Sequence, residues 1–105
     1  MIRELEAGRE HLLSAPAARR LLSLLRHRLL SITRNVYIVR RIPEQYEDLY
    51  DILVDGVTVV HVELPRDVSR TEIVFERSGI KEYLKAGRTK PDRRILELAI
   101  ELARQ

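Results

Sequence analysis

The sequence predicts a single α+β domain, residues 1–105, in which helices flank a small antiparallel sheet. Residues 46–65 form two strand-like runs with largely apolar faces on either side of Asp55-Gly56, a pair that favours a tight hairpin turn. Leucines recur at helical spacing over 15–33, and a second apolar helical pattern covers about 90–104. A chain of 105 residues can form one hydrophobic core, so one compact domain is expected.

The N-terminal third predicts one helix or two. Residues 2–13 have a helical pattern that Gly8 interrupts, and Ser14 can cap a second helix over 15–33. A stripe made mainly of leucine marks the buried side of this second helix. Its opposite side is rich in arginine, and the helix contains no acid that could pair with these arginines at a spacing of four residues.

The middle of the chain predicts a three-stranded antiparallel meander. β-Branched residues favour a strand over 36–42, and Pro43 ends it. The two arms of the hairpin supply the second and third strands. Residues 71–76 fit either a short fourth strand or the start of a helix, and their β-branched content favours the strand. Two helices then complete the chain, the first from Ser78 and the second over about 90–104.

The register of the hairpin decides which polar side chains meet. A two-residue turn places Tyr50 opposite His61 and Asp48 opposite Glu63. Two carboxylates in that position repel each other, so a cation, a metal ion or a shared proton would be needed to relieve them. The candidate metal ligands are therefore Asp48, Glu63 and His61. A structural ion-pair ladder explains the same residues without a metal, and we favour that interpretation.

The order of these elements resembles, in outline, that of the PD-(D/E)XK nucleases. In that family a helix and a strand precede an aspartate on one arm of a hairpin and a Glu-x-Lys motif on the other. The match here is Asp48 or Asp51 followed by Glu63, and it spans residues 16–66. The resemblance implies that these carboxylates hold a metal ion. Pro65 stands where the family has its lysine, so we expect no metal-dependent nuclease activity.

The distribution of charge predicts a surface that binds phosphate. Residues 43–68 carry seven acids and one arginine, whereas residues 1–35 carry seven arginines and three acids. Arginine suits phosphate because its guanidinium donates hydrogen bonds in a planar fork. The basic side of the second helix and the basic loop 85–91 are the predicted contacts. The candidate nucleic-acid-binding residues are Arg19, Arg20, Arg26, Arg34, Lys85, Arg88 and Lys90.

We therefore expect a small, non-enzymatic protein that binds nucleic acid or regulates through this surface. Two alternatives stay open: a nuclease-like fold, degenerate or active, and a structural oligomeric subunit whose basic helix docks on an acidic partner. The sequence contains no nucleophile elbow and no glycine-rich nucleotide motif, and so predicts no catalytic residue and no cofactor. DNA and RNA fit the pattern equally well.

Hydrophobic patterning and composition predict the partners and the location. Both faces of the hairpin are largely apolar, and the last helix is apolar on more than one side, so a homodimer is expected to cover the remainder. No apolar run reaches membrane-spanning length and no signal-peptide pattern occurs, so no membrane contact and a cytoplasmic location are expected. A charged fraction of 33% without cysteine leans towards a thermophilic source.

Overall fold

The computed structural model confirms the α+β class. It describes residues 2–14, 19–29, 35–67, 69–70 and 72–105. The helices are α1 (Ile2–Ser14), α2 (Arg19–Leu29), α3 (Ile80–Lys85) and α4 (Lys90–Ala103). The strands are β1 (Val36–Pro43), β2 (Glu47–Val54), β3 (Thr58–Pro65) and β4 (Val74–Gly79). The predicted ends of the second helix, 15–18 and 30–33, lie outside the described residues, as does the candidate site residue Arg34.

The four strands form one sheet in chain order, β1-β2-β3-β4, and each neighbouring pair is antiparallel. The fourth strand that the sequence allowed within 71–76 is present, although it runs from Val74 to Gly79. Helix α3 consequently begins at Ile80, later than the predicted Ser78. Gly8 does not interrupt α1, which is continuous through it.

Two hydrophobic cores lie on opposite faces of the sheet, because neighbouring residues of one strand point to opposite sides. Ile52 and Val60 belong to the core that α2 covers, which we call the α2 face. Leu53 and Val59 belong to the core that α1, α3 and α4 cover, which we call the α4 face. Helices therefore cover both faces, as the apolar character of both sides of the hairpin requires.

The hairpin turn contains one residue more than the sequence analysis predicted. Asp55 and Gly56 have positive φ angles of 53° and 73°, and the Val57 N–H donates to the Val54 carbonyl at 3.2 Å. Regular pairing nevertheless begins with Val54 opposite Thr58, so Val57 lies outside the ladder and is 65% exposed. The predicted register is therefore wrong by one residue along β3.

A second irregularity shifts β1 against β2. The pairing changes between Ile38 and Arg40, which leaves Val39 as the extra residue of a β-bulge and sets Arg40 opposite Asp51. An unshifted ladder would set Arg40 opposite Tyr50, and so on the other face of the sheet. The two extra residues, one in the turn and one in the bulge, decide which charged side chains meet on the α4 face.

The packing of the hairpin turn against the end of α4 can be tested with two glycines. A Cβ added at Gly56 would lie 3.2 Å from the Cβ of Ala103 at a φ of +73°, whereas one at Gly87, with a φ of +77°, would meet nothing within 4 Å. We expect G87A to lose about 1–2 kcal/mol of unfolding free energy from left-handed strain alone, and G56A to lose more. Urea denaturation measures both, and equal losses would show that the turn does not pack on α4.

Candidate functional site

A polar network centres on Asp51, on the α4 face of the sheet. Asp51 is 2% exposed and is the one buried charged residue in the described part of the chain. Its carboxylate accepts a hydrogen bond from the Tyr83 hydroxyl at 2.7 Å and lies 2.6 Å from His61 Nδ1. Arg40 Nη1 lies 3.8 Å from the same carboxylate. A buried carboxylate is tolerated when it is paired and hydrogen-bonded, so these partners allow an acid at the centre of the sheet.

Each partner of Asp51 comes from a different element. The extra residue Val57 sets the register of β3, which brings His61 directly opposite Asp51. The bulge in β1 brings Arg40 opposite the same residue, from the other side of β2. Tyr83 comes from α3, where it is buried. The network therefore links three strands and one helix through a single carboxylate.

Glu63 extends the network towards solvent. Its Oε2 lies 3.0 Å from His61 Nε2, so the imidazole lies between two carboxylates and can donate to both when it is protonated. Burial lowers the pKa of His61, but the hydrogen bonds to Asp51 and Glu63 outweigh burial and raise the pKa above its ordinary value of 6.5. Burial, and then the hydrogen bond to Asp51, raise the pKa of Tyr83, which keeps its hydroxyl as a donor.

The three candidate metal ligands of the sequence do not all meet: His61 contacts Glu63, but Asp48 lies apart from both. Asp48 faces Leu64 instead of Glu63, and it accepts a hydrogen bond from Arg66 at 3.0 Å. The opposed carboxylates predicted from a two-residue turn are therefore wrong, since the extra turn residue moves every partner on β3 by one position. Within the described ranges, no group of three or more His, Asp or Glu side chains is arranged to hold a metal ion.

The structure places two carboxylates as the PD-(D/E)XK resemblance implies, but it leaves no space for a metal ion between them and has a proline in place of the lysine. In the observed register Asp51 and Glu63 share the α4 face, whereas the predicted register separated them. The imidazole of His61 lies between these two carboxylates, where a shared metal ion would have to be held. Pro65, in place of the lysine, is buried at the end of β3. A metal bound by this pair would therefore have to displace His61.

The sheet separates the predicted phosphate contacts into two groups. Helix α2 lies against the α2 face, whereas α3, α4 and the loop between them belong to the α4 face. One flat ligand surface therefore cannot contact both groups together. The α2 group is Arg19, Arg20 and Arg26, and the group at the α3–α4 junction is Lys85, Arg88 and Lys90.

The outer side of α2 is basic. Arg19 and Arg26 are exposed, and no acid of the described segments lies within ion-pairing distance of an α2 arginine. Arg20 is half-buried and donates to the carbonyl of Pro65, with a second contact of 3.5 Å to the carbonyl of Arg70. Arg20 thus anchors α2 to the chain that leaves β3, while the other two arginines project outward.

Two further exposed arginines, which the sequence patterns did not single out, lie on or beside α2 on the same face of the sheet. Arg28 is exposed, with its guanidinium 5.7 Å from the centre of the Phe75 ring, and Arg77 of β4 donates to the Arg28 carbonyl. Arg77 pairs with Val60, which places it on the α2 face. Alternation along β4 was the available signal, but it requires knowing that these residues form a strand. We define the basic surface as Arg19, Arg26, Arg28 and Arg77.

The junction group is less suited to hold an anion. The Arg88 guanidinium stacks 3.9 Å from the centre of the Tyr83 ring, and its Nε donates to the Tyr83 carbonyl at 3.2 Å. The two lysines of this group are exposed. At the N-terminus of α4 the Thr89 hydroxyl already accepts from the Asp92 N–H at 3.2 Å. The cap and the acid in the first turn both oppose the predicted anion site.

Comparisons with known proteins do not assign a function: no protein-family model, curated protein or solved structure matches the chain. None of the described helices combines the length and the hydrophobicity of a membrane span.

The Asp51 network predicts that stability declines as the pH rises through the folded-state pKa of His61. Because the pKa of His61 is higher in the folded chain than in the unfolded chain, its contribution is fully present below pH 6.5. The contribution is lost as the pH rises through the folded-state pKa. We expect H61Q to flatten this decline in urea denaturation between about pH 5.5 and 8.5. H27Q, at the exposed histidine of α2, is the control and should keep the wild-type dependence of stability on pH. If H61Q also keeps that dependence, the prediction is contradicted.

Proposed function

We propose that the protein binds nucleic acid through the basic surface of α2 and β4, without catalysing a reaction on it. The observation that supports this most is the set of exposed arginines on α2 that have no ion-pairing acid among the described residues. Unneutralised arginines on one side of a small domain repel one another, and a polyanion relieves that repulsion while releasing its own counterions.

The packing of α2 favours this interpretation because it holds the basic side in one orientation. Leu21, Leu22 and Leu25 are 2%, 8% and 0% exposed against the sheet. Arg19 and Arg26 are seven residues apart, so both lie on the side of the helix away from the core, roughly 10 Å apart along its axis. An arginine held on a fixed helix needs little ordering when it meets a phosphate, so less of the contact energy is lost.

The proposed contacts are to the phosphate backbone and not to the bases. Phosphate contacts position a protein but carry no sequence information. The Phe75 ring at the basic surface already lies beneath Arg28. We therefore expect affinity that depends strongly on salt and little on sequence, with DNA and RNA both as ligands for measurement.

A homodimer stays a prediction. Several apolar side chains of α4 that were expected to need a partner pack in part against the core of the α4 face: Ile95, Leu98, Ile100, Leu102 and Ala103. The chain itself therefore covers much of the surface that motivated the dimer. The cytoplasmic location and the thermophilic source also stay predictions from composition.

Two charge-matched double variants test the proposed surface. R19A/R26A removes two arginines from the basic surface, and K85A/K90A removes two lysines from the junction on the other face. If both arginines bind phosphates, the log–log salt slope for duplex DNA should fall by about 1.8, at about 0.9 for each phosphate released. K85A/K90A should leave the slope close to the wild-type value. Fluorescence anisotropy across a salt series gives the slopes, and circular dichroism confirms folding.

Three results would contradict the proposal. The first is a wild-type protein that binds neither DNA nor RNA at low salt, where electrostatic attraction is strongest. The second is an equal reduction of the slope in the two double variants, which would show a response to net charge alone. The third is an R19A/R26A variant that unfolds, which would mean that these arginines stabilise the fold and favour the structural-subunit alternative.

A further inference from the structure

A cavity of about 530 Å³ opens on the α4 face between α1, β1 and α4. Leu5, Val39 and Ile95 give it an apolar lining, one residue from each element. Its charged lining residues are Glu4, Arg40, Arg41 and Asp92. Small-molecule sites in proteins have this size and this composition, with a mainly apolar wall and a few polar groups that fix the orientation of the ligand.

The Arg40 guanidinium retains hydrogen-bonding capacity at this cavity. Its closest acidic oxygens are 3.8 Å away on Asp51 and 3.9 Å away on Asp92, both beyond hydrogen-bond distance. Asp51 is already satisfied by shorter contacts to His61 and Tyr83. Among the described residues no acceptor forms a hydrogen bond with the Arg40 side chain, which is 35% exposed. Its planar set of donors is therefore available for a carboxylate.

Asp92 supplies the opposite charge beside Arg40. It lies in the first turn of α4, and its side chain is 23% exposed. The cavity therefore presents a cation and an anion side by side above apolar side chains. A purely anionic ligand would meet the acids Glu4 and Asp92. A purely cationic ligand would meet Arg40 and Arg41. A zwitterion avoids both repulsions and matches both charges.

We propose that this cavity binds a free amino acid with an aliphatic side chain. Arg40 holds its carboxylate, Asp92 holds its ammonium group, and Leu5, Val39 and Ile95 contact its side chain. The β-bulge is essential to this site, because it provides Val39 and turns Arg40 to the same face of the sheet. The site is separate from the basic surface, so it does not depend on the proposed binding of nucleic acid.

Four related compounds test the three parts of this recognition by calorimetry or by amide chemical-shift perturbation. L-Leucine carries the carboxylate, the ammonium group and the side chain. Leucinamide lacks the carboxylate, N-acetyl-leucine lacks the ammonium group, and glycine lacks the side chain. We expect leucine to bind and each of the other three to bind at least about tenfold more weakly, which corresponds to about 1.4 kcal/mol for each missing group.

Variants of the lining locate the binding to this cavity. D92N removes the partner of the ammonium group and breaks only a 3.9 Å contact within the protein, so it is expected to fold and to bind leucine at least about tenfold more weakly. Arg93 is exposed on the same helix and is not among the lining residues, so R93Q should bind like the wild type. R19A/R26A should also bind leucine normally, which separates this proposal from the one on nucleic acid.

The proposal is overturned by any of four results. The wild-type protein fails to bind millimolar leucine, or leucinamide and N-acetyl-leucine bind as tightly as leucine, or D92N binds leucine as the wild type does. Shifts that appear in wild-type spectra but lie on amides of α2 and β4, away from this cavity, would also overturn it.

Discussion

The buried carboxylate of Asp51 is the interaction on which the arrangement of the sheet depends. A charge at 2% exposure is stable only with close partners, and these come from three different elements: His61, Tyr83 and Arg40. The register of β3, the bulge of β1 and the position of α3 are therefore linked. If β3 or β1 shifted its register, or if α3 moved, the buried carboxylate of Asp51 would lose a partner. The network therefore favours this arrangement over other strand registers that would bury similar apolar side chains.

The sequence predicted the order of elements but not the contacts between charges. Alternating residues and the Asp55-Gly56 pair were sufficient for the hairpin, and β-branched residues were sufficient for the fourth strand. The register failed because Val57 is apolar and is typical of a strand, although it belongs to the turn. The bulge at Val39 has no glycine or proline to mark it. Neither irregularity is marked in the local sequence pattern, so neither could be placed before the strands were paired.

The same two irregularities explain why the candidate site was only partly found. The predicted register was in error by one residue, so it placed Asp51 on the face of the sheet opposite to Glu63 and paired Asp48 with Glu63. The sequence therefore selected Asp48 for the polar site that the structure builds around Asp51. Arg19 and Arg26 were identified correctly as exposed, because a leucine stripe fixes the orientation of a helix from sequence alone. Arg20, predicted in the same group, is half-buried and donates to the Pro65 carbonyl. Their separation from the α3–α4 junction depends on which face each helix covers, and only the assembled sheet determines that.

A double-mutant cycle between Asp51 and Tyr83 tests most directly whether the buried carboxylate organises the sheet. In urea denaturation, D51N should lose about 3–5 kcal/mol, because it leaves cationic groups facing a neutral amide in a buried site. Y83F should lose about 1–3 kcal/mol, because the buried carboxylate loses its hydroxyl donor. The double variant should lose less than the sum by at least about 0.5 kcal/mol. A D51N variant within about 0.5 kcal/mol of the wild type, with additive losses, would contradict this account.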